Sequence, residues 1–136
     1  MSGSGSTVPG VLGLGTDLVE VARFRRAMER RGDRLLDRLF SDAERDYSLR
    51  HRNPAPHLAA RFGAKEAVMK AMGIGLWKFA LRDVEVVRLP SGQPTIVLHD
   101  KAAAMAEARR VTSWHLTLTH TDSMAQAVAI ALGGDP

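Results

Sequence analysis

The spacing of apolar and polar residues predicts mainly helices in the first half of the chain. The predicted elements here are a strand at 11–21, helices at 22–31 and 41–50, and, after a break at 53–56, a long helix to Met72. Ser41 and Glu44 match a capping box, which marks the start of the second helix. Gly32 and Gly73 stand where the first and the long helix should end, since glycine readily adopts the left-handed conformation of a C-terminal cap.

The second half of the chain is dominated by strand patterns. Strands are predicted at 83–89, 95–98, 114–119 and 124–132, and an Ala-rich helix is predicted at 100–110. Polar or glycine-containing turns at 90–92 and 120–123 join the strands in two pairs. Because the strands come mainly as sequential hairpins, we predict an α+β fold with an antiparallel sheet, formed as one domain by residues 11–133. The Gly/Ser-rich residues 1–10 are interpreted as a flexible leader or an expression remnant.

Composition narrows the class of protein. The apolar fraction of 45% and the charged fraction of 25% are ordinary for a globular chain of 136 residues. No apolar run approaches the roughly 20 residues that span a bilayer, so no membrane partner is expected. The chain has no cysteine, which excludes disulfides and thiolate metal sites and fits a cytoplasmic location.

Positive charge is concentrated in one region of the chain. The arginines of this region are Arg23, Arg25, Arg26, Arg30, Arg31, Arg34 and Arg38. Such a cluster favours an acidic partner, which could be a nucleic acid, an acidic protein or a phosphate-bearing small molecule. A solvated helix face, balanced in part by nearby carboxylates, accounts for the cluster equally well. The absence of zinc-finger spacing and the scarcity of aromatic residues argue against nucleic acid.

Several polar residues stand among small or apolar neighbours. The long helix would align Ala59, Gly63, Glu66, Lys70 and Gly73 on one stripe, and the first strand would align Gly13, Gly15 and Asp17 on one face. Small residues let another part of the molecule lie close to the helix. A Mg²⁺ ion shared with substrate phosphates needs only one or two protein carboxylates, and Lys70 and His120 could balance the remaining phosphate charge. A solvated Glu–Lys pair, a helix-capping Asp and a surface His are the alternatives.

Three segments resemble conserved motifs of one family. Residues 13–21 resemble the G-x-G-x-D-[IL]-x-x-[IV] opening of the holo-acyl-carrier-protein synthases, the short phosphopantetheinyl transferases. Residues 61–71 resemble their R-[FW]-A-A-K-E-A-x-x-K-A signature, with Gly63 in place of the usual Ala, and residues 118–122 resemble their [SL]-[ST]-H-[TED] motif. The motifs occur in the family order, and the resemblance covers residues 11–132. It implies the 4'-phosphopantetheinyl transferase fold, with a long central helix.

The resemblance also implies an activity and a site. The enzyme would transfer the 4'-phosphopantetheine group of coenzyme A to a serine of apo-acyl carrier protein, with Mg²⁺ as cofactor. By matching position, Asp17 and Glu66 would be the Mg²⁺ ligands and, with Lys70, the catalytic residues. The coenzyme A site would be lined by Arg61, Lys70, Gly73, Pro94, His120 and Thr121.

Partners follow from the same resemblance. Arg23 matches the family position that meets the acidic carrier protein, and Arg26 and Arg30 extend that patch. A homotrimer with active sites between subunits is expected. No nucleic-acid partner is expected. Whether the carrier serves fatty-acid, polyketide or peptide synthesis stays open, as does whether Glu66 or a water that it holds is the base. The competing functions are a basic nucleic-acid-binding protein and a non-catalytic carrier-binding subunit.

Overall fold

The computed structural model describes residues 10–75 and 78–134, which form five strands and five α-helices. The strands are β1 (Gly10–Glu20), β2 (Val84–Arg88), β3 (Pro94–Leu98), β4 (Val111–His120) and β5 (Met124–Gly133). The helices are α1 (Val21–Arg31), α2 (Asp33–Leu39), α3 (Asp42–Leu49), α4 (Pro54–Ala71) and α5 (Asp100–Ala108). A short 3-10 turn at Leu81–Asp83 precedes β2.

The strands form two antiparallel sheets. The larger sheet has the order β1-β5-β4, so the first and last strands of the chain are neighbours. Asp17 lies opposite Ala127 and His120 lies opposite Ala125 in its register, which brings both polar residues to one end of the sheet. The smaller sheet is the β2-β3 hairpin, in which Arg88 lies opposite Pro94.

Helix α4 packs across the larger sheet and forms the centre of the core. Thirteen of its 18 residues are buried, and most of these are small or apolar. The facing side of β5 is a row of alanines, Ala125, Ala127, Ala129 and Ala131, each at most 1% exposed. Small side chains on both surfaces let the helix lie close to the sheet, so residues of α4 and β1 can meet.

The structure confirms the predicted α+β fold and most of the predicted elements, with boundaries shifted by a few residues. The predicted capping box is present, since the Glu44 amide donates to Ser41 Oγ and the Ser41 amide donates to Glu44 Oε1. Helix α2 was not predicted; it follows directly on Gly32 and is held by the burial of Leu36 and Leu39. The leader predicted for residues 1–10 lies outside the described residues except for Gly10, which is the first residue of β1.

None of the helices in the described ranges has the length and apolar character that a membrane crossing requires.

Candidate active site

Two glycines of β1 bring this strand against the backbone of α4. A Cβ atom on Gly15 would lie 2.8 Å from the carbonyl carbon of Ala67, and one on Gly13 would lie 2.8 Å from that of Ala71. Both distances are shorter than real Cβ contacts, so only glycine fits at either position. The predicted close approach at this face is therefore present, and it places Asp17, two residues after Gly15, beside the helix.

Asp17 and Lys70 form the polar contact between β1 and α4. Lys70 Nζ donates to Asp17 Oδ1 at 3.1 Å and to the Thr16 carbonyl oxygen at 3.0 Å. The Lys70 side chain is half exposed, whereas that of Asp17 is largely covered. The ammonium group can therefore exchange a partner in the protein for one in solvent, while the carboxylate is held in place by the strand.

Glu66 lies one turn before Lys70 on α4 and faces the same carboxylate. Burial, and then the charge of Asp17, raise the pKa of Glu66, and the opposing charge of Lys70 offsets only part of this shift. A cation between the two carboxylates would remove their repulsion. Within the described residues, no group of three or more metal-binding side chains occurs. A metal held here would take two carboxylates from the chain and its remaining ligands from water or substrate, as Mg²⁺ does.

Arg61 is buried within the cluster of rings next to this site. Arg61 is 4% exposed, and its guanidinium carbon lies 4.3 Å from the centre of the Tyr47 ring. One guanidinium nitrogen donates to the His57 carbonyl oxygen at 3.3 Å. Burial lowers the pKa of Arg61, and Tyr47 and Glu44 oppose that shift.

His57 connects this cluster to His120. The His57 ring stacks on His51 with 3.7 Å between ring centres and meets the His120 ring edge-on at 5.2 Å. Burial, followed by the charges of His51 and His120, lowers the pKa of His57 to about 4. His57 is therefore neutral at neutral pH, and it contacts two predicted residues: its ring meets that of His120, and its carbonyl oxygen accepts a hydrogen bond from Arg61.

The remaining predicted coenzyme A residues lie at ends of elements. Thr121 Oγ1 accepts from the Met124 amide at 3.1 Å, which shapes the turn after His120. Gly73 ends α4 with a φ of 68°, a left-handed conformation that favours glycine. Pro94 belongs to the smaller sheet rather than to the sheet that carries Asp17, and it lies opposite Arg88, whose guanidinium carbon is 5.1 Å from the centre of the Tyr47 ring.

The predicted carrier-binding arginines share one exposed face of α1. Arg23, Arg26 and Arg30, together with Glu29, line a surface depression of about 510 Å³. This helix begins four residues after Asp17, so its face is connected to the polar site by a very short segment.

A buried ion pair holds α4 on the face next to that of Glu66. Lys65 Nζ donates to Glu44 Oε1 at 2.8 Å, to the Leu81 carbonyl at 3.1 Å and to the Val84 carbonyl at 2.5 Å. The second oxygen of Glu44 accepts from the Val86 amide at 2.9 Å. Lys65 thus has a structural role, and the resulting bonds fix the rotation of α4 that turns Glu66 toward Asp17.

Sequence reasoning missed Tyr47, His57 and Arg88 as members of the site. Arg88 reaches the Tyr47 ring at 5.1 Å from β2, although 41 positions separate the two residues. One local signal was available, since the chain's single Tyr stands only four residues before His51, and the two rings lie 4.9 Å apart.

Known proteins share both the sequence pattern and the fold. The profile of the 4'-phosphopantetheinyl transferase superfamily matches residues 13–131. A holo-[acyl-carrier-protein] synthase of Desulforudis audaxviator is 47% identical over 123 residues, which are 90% of this chain and 94% of the relative.

Two solved structures extend the comparison. The acyl carrier protein synthase of Mycobacterium tuberculosis is 32% identical, with a TM-score of 0.68, over 93% of this chain and 100% of the other. An ACPS–CoA complex of Chronobacterium ammoniagenes is 26% identical, with a TM-score of 0.75, over 91% of this chain and 98% of the other. The chain therefore belongs to the 4'-phosphopantetheinyl transferase superfamily, among the holo-[acyl-carrier-protein] synthases, and is an enzyme of that family.

Proposed function

We propose that the chain transfers the 4'-phosphopantetheine arm of coenzyme A to a serine hydroxyl of an apo-acyl carrier protein, releasing adenosine 3',5'-bisphosphate, with Mg²⁺ as cofactor. The observation that carries the proposal is the contact of Asp17 with Lys70 beside Glu66. It combines two carboxylates, which suit a divalent cation, with an ammonium group that suits a phosphate. The coenzyme A complex of the Chronobacterium relative supports the choice of donor.

Each residue of the polar site has a role in this reaction. Asp17 and Glu66 would hold the cation, which when bound withdraws charge from the pyrophosphate oxygens. Lys70 would leave its contact with Asp17 to stabilise the departing bisphosphate. Glu66 would accept the serine proton, either directly or through a water that it holds.

The nucleotide end of coenzyme A is proposed to bind at the ring cluster. Arg61 supplies positive charge there, and His120 supplies ring nitrogens for hydrogen bonds to the phosphates. His57 contacts both residues, and its lowered pKa leaves it without a charge at neutral pH. Gly73, Thr121 and Pro94 are proposed to line the same site.

The acidic carrier is proposed to dock on Arg23, Arg26 and Arg30. The surface depression that these arginines line is exposed and basic. Its first residue, Arg23, follows Asp17 closely in the sequence. An acidic helix of the carrier would fit such a surface by charge complementarity.

A homotrimer is proposed from the apolar outer face of the larger sheet. Leu14 and Leu18 of β1 point away from α4 and are 63% and 62% exposed. Their neighbours on β5, Val128, Ile130 and Leu132, are only half buried. Exposed apolar surface of this kind usually marks an interface. Light scattering of the wild type and of Leu14→Glu tests the assembly: the variant should shift toward monomer, and an active wild-type monomer would contradict it.

The transfer reaction is tested by mass spectrometry of the carrier. The enzyme is incubated with coenzyme A, Mg²⁺ and a panel of apo-carrier proteins, and one carrier should gain a single phosphopantetheine arm. Asp17→Asn and Glu66→Gln should each lose nearly all activity, whereas Glu107→Gln, a matched change on the exposed face of α5, should not.

The same experiment separates the alternatives. A carrier that binds without gaining mass would indicate a non-catalytic subunit. Tight, salt-sensitive binding of duplex DNA or RNA without any carrier modification would indicate a nucleic-acid-binding protein.

A further inference from the structure

The Tyr47 ring is a shared contact for cationic side chains from three elements. The guanidinium carbon of Arg61 on α4 lies 4.3 Å from the ring centre, that of Arg88 on β2 lies 5.1 Å away, and that of Arg50 after α3 lies 5.9 Å away. Guanidinium groups at such distances are attracted by the negative face of an aromatic ring. The ring is thus the point at which α3, α4 and the β2-β3 hairpin bring positive charge together.

Arg61 has no carboxylate partner of its own in the part of the chain that the structure describes. Glu44, the nearest acidic influence on it, is already bonded to Lys65 at 2.8 Å. The Nε atom of Arg61 is buried and finds no hydrogen-bond partner among the described residues. A buried cation is usually paired with an anion. Because the Arg61 guanidinium has no such pair within the described residues, it is available to bind an anionic ligand.

The two buried cations of α4 show the contrast. Lys65, four residues after Arg61, is neutralised by Glu44 and bonded to two carbonyl oxygens, which leaves it nothing to offer a ligand. Arg61 instead rests on a neutral ring that orients the guanidinium without cancelling its charge. A carboxylate in place of Tyr47 would hold Arg61 more strongly and would remove its attraction for phosphate.

We propose that Tyr47 is a positioning residue for the reaction: its ring orients Arg61 and Arg88 so that both guanidinium groups stay available to the phosphates of the nucleotide. This inference rests on the proposed function and adds to it a residue outside the three family motifs. It also assigns Arg88 to the nucleotide site, although Arg88 lies on the smaller sheet.

The proposal is tested by calorimetric titration of adenosine 3',5'-bisphosphate and of coenzyme A into three variants of the full chain. Tyr47→Phe keeps the ring and should bind within about twofold of the wild type. Tyr47→Leu removes the ring and should bind both ligands about tenfold more weakly, which is the size expected from losing cation–π contacts. Tyr47→Glu should remain folded, because its carboxylate can pair with Arg61, and should bind more weakly than Tyr47→Leu.

Kinetics separate positioning from a general structural role. The KM for coenzyme A should rise in Tyr47→Leu while kcat and the KM for the carrier stay near the wild-type values. Leu49→Ala is the matched control, because it removes a side chain from the same helix at a residue that is 48% exposed. It should change neither KM.

Each remaining outcome counts against the inference. Wild-type affinity in Tyr47→Leu or Tyr47→Glu would refute it, and equal losses in Tyr47→Phe and Tyr47→Leu would assign the effect to the hydroxyl group instead. If the wild type neither binds the bisphosphate nor modifies any carrier, the proposed function fails and this inference fails with it. If the wild type does both and the variants bind equally well, only the inference about Tyr47 fails.

Discussion

Replacement of Gly15 by alanine tests whether the close packing of β1 on α4 builds the active site. The added Cβ would lie 2.8 Å from the Ala67 carbonyl carbon and 2.8 Å from the Ala71 amide nitrogen, and closer still to the Ala67 carbonyl oxygen. All three atoms belong to the helix backbone, which cannot move aside as a flexible side chain would. The strand and the helix must separate instead.

The size of the effect follows from these distances. Ordinary contacts of a Cβ atom begin at 3.4 Å, so the two backbones must part by about 0.6 Å to relieve the contacts with the carbonyl carbon and the amide nitrogen, and by more to relieve the contact with the carbonyl oxygen. A gap of this size already forfeits a quarter or more of each van der Waals contact along the interface. We expect Gly15→Ala to lower the free energy of unfolding by about 3 kcal/mol, at the upper end of the usual cost of overpacking. The contact between Lys70 Nζ and Asp17 Oδ1, now 3.1 Å, should lengthen, and the transfer rate should fall.

Gly63→Ala is the matched control, since it makes the same change on the helix side of the interface. Its Cβ would lie 3.4 Å from Val19 Cγ2 and 3.6 Å from Asp17 Oδ2, which are ordinary contacts. Alanine also favours a helix interior over glycine by up to about 1 kcal/mol. This variant should therefore be more stable than the wild type and keep its activity.

Urea unfolding of the three proteins, followed by the carrier-mass assay, gives the result. Gly15→Ala should unfold at lower urea and Gly63→Ala at higher urea, with similar slopes. If Gly15→Ala is as stable and as active as the wild type, the close approach does not build the site. If both variants lose stability equally, the cost comes from glycine replacement in general and not from the contact with α4.

Three further predictions concern charged groups. Burial and the Asp17 charge raise the pKa of Glu66, so the contribution of this group to folding stability is present at low pH and is lost as the pH rises through that pKa. Glu66→Gln should therefore raise the Tm of the metal-free protein more at pH 8 than at pH 4. Equal shifts of Tm at the two pH values would contradict this. Lys65→Met should cost about 3–5 kcal/mol in urea unfolding because it strands the buried carboxylate of Glu44, and a cost below 1 kcal/mol would refute the role given to the pair. Arg23→Glu should raise the KM for carrier but not for coenzyme A, with added salt mimicking the change, and two unchanged KM values would indicate a solvated face.

The sequence was sufficient wherever the cause was local. The helical period of α4, the capping box of α3 and the alternation along β1 each depend on residues within a few positions of one another. The same alternation aligned Gly13, Gly15 and Asp17 on one face. Helix α2 was missed for two reasons. Only Gly32 separates it from α1, and its seven residues are stabilised by burial of Leu36 and Leu39, which is a tertiary effect that the local sequence does not show.

Which residues make up the site is decided by contacts between segments that are far apart in the sequence. By itself the sequence determined the bare face of β1, the stripe of α4 that carries Glu66 and Lys70, and every strand and α-helix except α2, because these follow from helix and strand periodicity. Only the tertiary structure decided that this stripe meets Asp17, since the approach depends on backbone contact between distant segments. It also decided that α3, α4 and β2 converge on the Tyr47 ring, because no local pattern encodes the partner of a side chain that lies dozens of residues away.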